Sequence, residues 1–395
     1  MSQALAGVRV IDMTSTVMGP SATQLLGDHG ADVIKVESPA GDTTRLIPPQ
    51  KNPGMGPIYL QLNRNKRSVV LDLKQDDHLH AMRDLLATAD VFVYSVRPQA
   101  IAKLGLSPQA LAKLNPKLIT ASLVGFGEGG PYAGRPVYED LIQGLTAVPS
   151  LMMTAGSVEP QYVPVSFNDR SVGLFAVVAI LTALFHRATT GEAQHIEVPM
   201  FESMAQFVLG DHMGGRSFDP PLGPPGYPRT LTPERRPYRT SDGYICAIIY
   251  TDTHWRSFGT IVGRPNLLDE DERFTDLGTR TVNAQDIYAF VRHVMPTRTS
   301  DEWLQLMTDA DIPAAPLHTL ESIFDDPHLN ATGFFQHSEH PTEGTLLTAR
   351  GPANWSKTPP QINRPAPRLG EHTVEVLTEV GYSVEQAEKI AAGIA

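Results

Sequence analysis

One carboxylate, Asp169, stands where the segment Val163-Pro164-Val165-Ser166-Phe167-Asn168-Asp169-Arg170 runs into the long apolar stretch Ser171 to Phe185. Two chemistries suit that position. An Asn or Asp ahead of an apolar helix can cap it, accepting the first free backbone N–H groups and complementing the helix dipole. An ionised carboxylate that is desolvated on one side and flanked by N–H donors for an oxyanion can instead act as a nucleophile. Both readings place Asp169 at the same point, so other parts of the chain must distinguish them.

The remaining motifs for chemistry are sparse. Gly125-Phe126-Gly127-Glu128-Gly129-Gly130 matches GxGxxG after a strand pattern, but Pro131, Gly134 and Pro136 follow, so no helix opens to receive a pyrophosphate. A loop of bare backbone N–H groups able to approach a ligand remains plausible there. No HExxH, CxxC, GxSxG or Walker pattern occurs, and His78 and His80 read as solvated side chains without a third ligand, so no metal site is expected.

Composition limits the classes further. With 395 residues, 41% hydrophobic and 19% charged, the chain is long enough for two domains with their own cores. A formal charge of −11 argues against broad nucleic-acid binding. The single cysteine, Cys246, excludes an internal disulfide and fits a reducing cytoplasm. The first residues carry no basic region followed by an apolar core, and Val172 to Phe185 is shorter than the roughly 20 residues of a membrane span. Apolar all round, that run reads as a buried helix, and no membrane partner is expected.

Strand and helix patterns alternate through the first half. Val8 to Met13, Ala31 to Glu37, Ser68 to Leu73, Asp90 to Val96, Lys117 to Val124 and Gln194 to Pro199 read as strands. Helices are expected from Gly19 to His29, from Asp76 to Thr88, and after the cap Ser107-Pro108. The pattern predicts an α/β, Rossmann-like large domain with an open, mainly parallel sheet. Asp219 to Pro228 is too rich in Pro and Gly for a helix or central strand, and beyond it a hairpin about Ser241-Asp242-Gly243 and several helices suggest a smaller α+β domain. The expected boundaries are 1–205 for the first part of the large domain, 206–237 for a linker, 238–330 for the small domain, and 331–395 for a return to the large one.

Ordered blocks along the chain carry a resemblance. Gly7-Val8-Arg9-Val10-Ile11-Asp12, Gly30-Ala31-Asp32-Val33-Ile34-Lys35-Val36-Glu37, Asn63-Arg64-Asn65-Lys66-Arg67-Ser68, Gly130-Pro131-Tyr132, Tyr138-Glu139, Asp169 and Ala183-Leu184-Phe185-His186-Arg187 resemble the class III coenzyme A transferases of the CaiB/BaiF type. That family includes formyl-CoA and carnitine-CoA transferases and the 2-methylacyl-CoA racemases. The resemblance implies an interlocked homodimer with the active site between subunits, an acyl-CoA and a small carboxylic acid as substrates, and no tightly bound cofactor. It makes Asp169 the nucleophile, forming first an acyl anhydride and then an aspartyl-CoA thioester, with Tyr138 and Glu139 in the catalytic pocket. Positions matching CoA contacts are Met18, Leu71, Lys74, Ser95, Val96, Arg97 and Lys103.

The chain departs from the formyl-CoA branch at Val17-Met18-Gly19-Pro20, where that branch has a glutamine, and at Ser95-Val96, where it has Asn-Phe. No oxalate or formate specificity is therefore implied. Two alternatives remain in view. A racemase needs a base on each face of the carbon beside the thioester and pairs a histidine with the aspartate, whereas no histidine occurs here between His80 and His186. A non-catalytic acyl-CoA-binding protein would have no use for an ionised carboxylate at the thioester.

Overall fold

The computed structural model describes residues 3–393. Six strands form one sheet: β1 (Arg9–Met13), β2 (Asp32–Glu37), β3 (Lys66–Val70), β4 (Val91–Tyr94), β5 (Ile119–Val124) and β6 (His195–Pro199). Their order is β3-β2-β1-β4-β5-β6, and every neighbouring pair is parallel. β3, β4 and β5 are buried along their whole length because helices cover both faces, which is why β4 and β5 read as mainly apolar runs. On one face Ile11, Ile34 and Phe92 pack with Leu85 of the Asp76–Ala87 helix and with Val376 and Ile390 of the last two helices. On the other, Val10, Val33 and Val93 pack with Leu26 of the Met18–Asp28 helix and Val172 and Ile180 of the Phe167–Thr190 helix.

The winding of the chain reverses between β1 and β4, and at such a switch point the carboxyl ends of neighbouring strands diverge and leave a crevice for a ligand. That crevice belongs to a compact unit built from the chain up to Ile142, Pro164–Ala205 and the chain from His328 onward. A second unit comprises Gln143–Val163 and Gln206–Pro327. Residues 143–163 and 206–237 were expected in the large domain and in a linker respectively, yet both cluster in this second unit. Packing between them explains it: a Cβ on Gly156 would lie 2.7 Å from the Pro233 side chain. A three-stranded antiparallel sheet and a core of Trp255, Phe258, Phe274 and Trp303 complete the second unit.

Two local expectations change. His78 is buried rather than solvated, because its Nδ1 accepts the Asp72 backbone N–H at 3.0 Å. The apolar helix runs the full 24 residues Phe167–Thr190, long and apolar enough to cross a membrane by length and composition, and it is not buried all round. Its inner face lies close against the Met18–Asp28 helix, where a Cβ on Gly173 would meet Ser21 Oγ at 2.4 Å. Its outer face leaves Leu174, Val178, Leu181 and Phe185 exposed at spacings of one helical turn.

Beneath the crevice lies a group of charges without access to solvent. Lys66 Nζ meets Asp12 at 3.0 Å and Lys35 Nζ meets Asp42 at 2.9 Å, with all four side chains fully buried. Burial alone would raise the Asp12 carboxyl, but Lys66 and Lys35 hold it down at about 2. Burial also pulls Lys66 down to about 8, against the attraction of Asp12. Lys35 further donates to the Thr14 carbonyl at 2.9 Å, and Asp42 accepts the Thr16 N–H, so the pair fixes the loop after β1. Removing one partner strands the other charge in a dry interior, a change that costs about 3–5 kcal/mol. Asp42→Asn should therefore lower the urea-unfolding free energy by that order, whereas an unchanged midpoint would show that the pair contributes little.

Candidate active site

Two adjoining cavities open at the carboxyl edge of the sheet. The first, about 450 Å³, is walled by Met13 at the end of β1, Val36 at the end of β2, Leu71, Leu73 and Lys74 after β3, and Val96 after β4. Its surface is mainly apolar. The second, about 240 Å³, is lined by Thr16, Met18, Arg97, Phe126, Arg135, Tyr138, Asp169 and Met200. Ser15 and Ser95 line both, so the two spaces meet there.

The residues singled out in the sequence divide between them. Leu71, Lys74, Ser95 and Val96 face the first cavity, while Met18, Ser95, Arg97, Tyr138 and Asp169 face the second. Lys103 lines neither; it is exposed in the last turn of the short Pro98–Lys103 helix. Glu139 reaches Asp169 through the backbone. Its Oε2 accepts the Asp169 N–H at 2.9 Å and its Oε1 accepts the Asn168 N–H at 3.1 Å. Asn168 Nδ2 donates in turn to the Glu139 carbonyl at 3.0 Å.

Glu139 thus caps the apolar helix from 30 positions upstream in sequence. Ser166, the N-cap residue itself, makes no side-chain cap bond, and among the described residues the Asp169 carboxylate accepts no hydrogen bond. The capping reading of Asp169 is corrected accordingly. So is the expectation that the first amides of this helix are available for an oxyanion, because Glu139 occupies them. Two carboxylates now share one helix start. Partial burial, then the charge of Glu139, push the Asp169 carboxyl up to about 6, against the opposing pull of Arg170.

The glycine loop after β5 supplies a wall that residue types alone did not reveal. Glu202 and Glu197 accept the N–H groups of Gly127 and Glu128 at 3.0 and 2.9 Å, which anchors the loop. Gly125 is required there, since a Cβ would lie 1.9 Å from Val137. From that anchor the chain returns through Arg135 to Tyr138, closing the Asp169 cavity. Arg135, Phe126 and Met200 were not among the expected site residues. The signal for them was the run of bare glycines, which marks a close backbone approach without saying what it approaches.

A parallel sheet with two adjoining cavities at its carboxyl edge, one mainly apolar and one holding a carboxylate with a raised pKa, places a candidate site where α/β folds bind ligands. The chain belongs to CoA-transferase family III, whose model matches residues 5–373. It is 34% identical to the succinate–glutarate CoA-transferase of Agrobacterium fabrum, with 95% of each chain covered. It is 31% identical to a formyl-CoA:oxalate CoA-transferase of Rhodopseudomonas palustris, over 99% of this chain and 96% of the relative. Among solved structures it resembles a CaiB/BaiF family protein from Brucella suis, with a TM-score of 0.80 and 30% identity over 96% of this chain and all of that one.

The raised carboxyl has a consequence for stability. Because its folded-state value of about 6 lies above the ordinary 3.8, the ionised form is disfavoured by folding. Asp169 costs nothing below about pH 4; the cost builds as pH rises from about 4 to 6 and is complete above 6. Discounted for partial exposure, it amounts to about 1–2 kcal/mol. Asp169→Asn should raise the thermal midpoint at pH 8 and leave it nearly unchanged at pH 4. An equal shift at both pH values would show that Asp169 is not strained by ionisation.

Proposed function

We propose that this protein moves coenzyme A from an acyl-CoA donor to a carboxylic acid through covalent intermediates on Asp169. The observation that carries the reading is the Asp169 carboxylate, unbonded among the described residues, facing a cavity that adjoins a longer apolar one. The first cavity suits the nucleotide and pantetheine of CoA. Leu71 and Val96 offer apolar contact there and Lys74 a cation for the phosphates, while Arg97 on the adjoining cavity and the exposed Lys103 at the end of the short Pro98–Lys103 helix are further cations for them. Met18 and Tyr138 border the reacting end.

The reaction divides into four displacements at carbonyl carbon. An Asp169 oxygen attacks the thioester carbonyl and the CoA thiolate leaves, giving an aspartyl–acyl anhydride. The thiolate attacks the aspartyl carbonyl and the donor leaves as a free carboxylate, giving an aspartyl-CoA thioester. The acceptor carboxylate then attacks that thioester, releasing the thiolate and forming a second anhydride. Finally the thiolate takes the acceptor acyl group, which frees Asp169. Each step gathers negative charge on a carbonyl oxygen and needs donors aimed at it. The ionised carboxylate required at the start is present above about pH 6, which suits neutral conditions.

Racemisation fits less well, since none of the residues lining the Asp169 cavity is a histidine. A homodimer is part of the proposal. The exposed stripe of Leu174, Val178, Leu181 and Phe185 is the kind of surface a second copy would cover, and Phe185 is 71% exposed without one.

The donor and acceptor pairs of the relatives, succinate with glutarate and formyl-CoA with oxalate, form the first assay panel. Asp169→Ala should reduce transfer by roughly 10³-fold or more, the order seen when a covalent nucleophile is removed. Full transfer by that variant would overturn the nucleophile. Solvent deuterium entering the acyl 2-position without transfer would favour racemisation instead.

A further inference from the structure

The occupied helix start leaves a question that the proposed chemistry must answer. Every displacement at Asp169 develops an oxyanion, yet the Asn168 and Asp169 amides that would hold it are bonded to Glu139. Donors must come from elsewhere on the cavity wall. The side chains available there are the guanidiniums of Arg97 and Arg135 and the hydroxyls of Ser15, Thr16, Ser95 and Tyr138. Arg97, Arg135, Ser15 and Tyr138 are exposed, and Ser95 is shared with the neighbouring cavity.

Thr16 differs from all of these. Its backbone has φ +73°, a left-handed conformation in which a β-branched residue is an outlier. That conformation is fixed from below: both oxygens of Asp42 accept the Thr16 N–H at 3.2 Å, and Asp42 is itself held by the buried Lys35. Glycine would adopt the same backbone without strain. A threonine kept there by buried charges presents a side chain at a position the fold cannot shift. Among the described residues its hydroxyl has no hydrogen-bond partner, and it shares the cavity with Asp169. Strain of this kind accumulates where geometry serves function.

We propose that the Thr16 hydroxyl is an oxyanion donor for acyl transfer at Asp169, set in place by the Asp42–Lys35 pair. It donates its proton in a hydrogen bond to the carbonyl oxygen as charge builds there, and it keeps that proton throughout. The inference rests on the reading of Asp169 as nucleophile. Its ligand is the tetrahedral oxyanion itself, so the effect belongs in kcat rather than in the affinity for acyl-CoA.

The test uses the full-length protein with succinyl-CoA and glutarate. Thr16→Val keeps the β-branch and loses only the hydroxyl; Thr16→Gly loses the hydroxyl and relieves the backbone, so it remains informative if the valine variant folds poorly. Both should lose about 10²-fold in kcat, the order for one oxyanion donor, with KM for succinyl-CoA changed less than threefold. Thr16→Ser should keep kcat within about fivefold of wild type. If Thr16→Val or Thr16→Gly turns over like wild type while Asp169→Ala is inactive, the inference fails and the nucleophile stands. If Thr16→Ser is as slow as Thr16→Val, shape rather than the hydroxyl matters and the inference again fails. An active Asp169→Ala removes the reading beneath both.

Discussion

The geometry of the catalytic edge depends on the buried pairing of Lys35 with Asp42. Four fully buried charges, Asp12, Lys35, Asp42 and Lys66, lie under the loop that leaves β1. Burying them is costly and offers little net stability over an apolar core, so their value lies in specificity of position. Besides bonding each other, the Asp42–Lys35 pair reaches three backbone groups: the Thr14 carbonyl, the Thr16 amide and the Thr44 amide. A hydrophobic core could fill the same space but could not dictate where those amides point. The loop so fixed supplies Thr16 to one cavity, while Asp42 itself borders the other.

At the far side of the second cavity a different balance operates. Glu139 stabilises the helix start by accepting two amides, and the same negative charge raises the Asp169 carboxyl beside it. A carboxylate with a higher pKa is a stronger nucleophile when ionised, and about 6 still leaves it ionised at neutral pH. One side chain thus anchors the Asp169 backbone and raises the Asp169 carboxyl. Its two oxygens each accept a backbone amide, so Glu139 positions the start of the Asp169 helix.

Much of the fold could be read from the chain because its causes are local. β4 and β5, covered on both faces, appear as mainly apolar runs, and Ser107 caps its helix, accepting the Ala110 N–H at 3.3 Å with Pro108 in the first turn. The place of Asp169 at the mouth of an apolar run was visible for the same reason, and the structure puts it on a cavity wall. What could not be read came from partners distant in sequence. The cap on the Asp169 helix is Glu139, the donor that satisfies buried His78 is the backbone N–H of Asp72, and residues 143–163 leave the large unit because of packing near Pro233. An apolar run also carries no sign of which face is covered, so the exposed stripe from Leu174 to Phe185 emerged only in three dimensions.

The centre of the proposal is a covalent bond to Asp169, and intact-protein and peptide mass spectrometry after brief incubation with acetyl-CoA or succinyl-CoA addresses it most directly. We expect the peptide that contains Asp169 to carry the mass of coenzyme A less water, present in the wild type and lost in Asp169→Ala. Steady transfer of CoA to an acceptor with no adduct on that peptide under quenching would contradict a covalent role for Asp169.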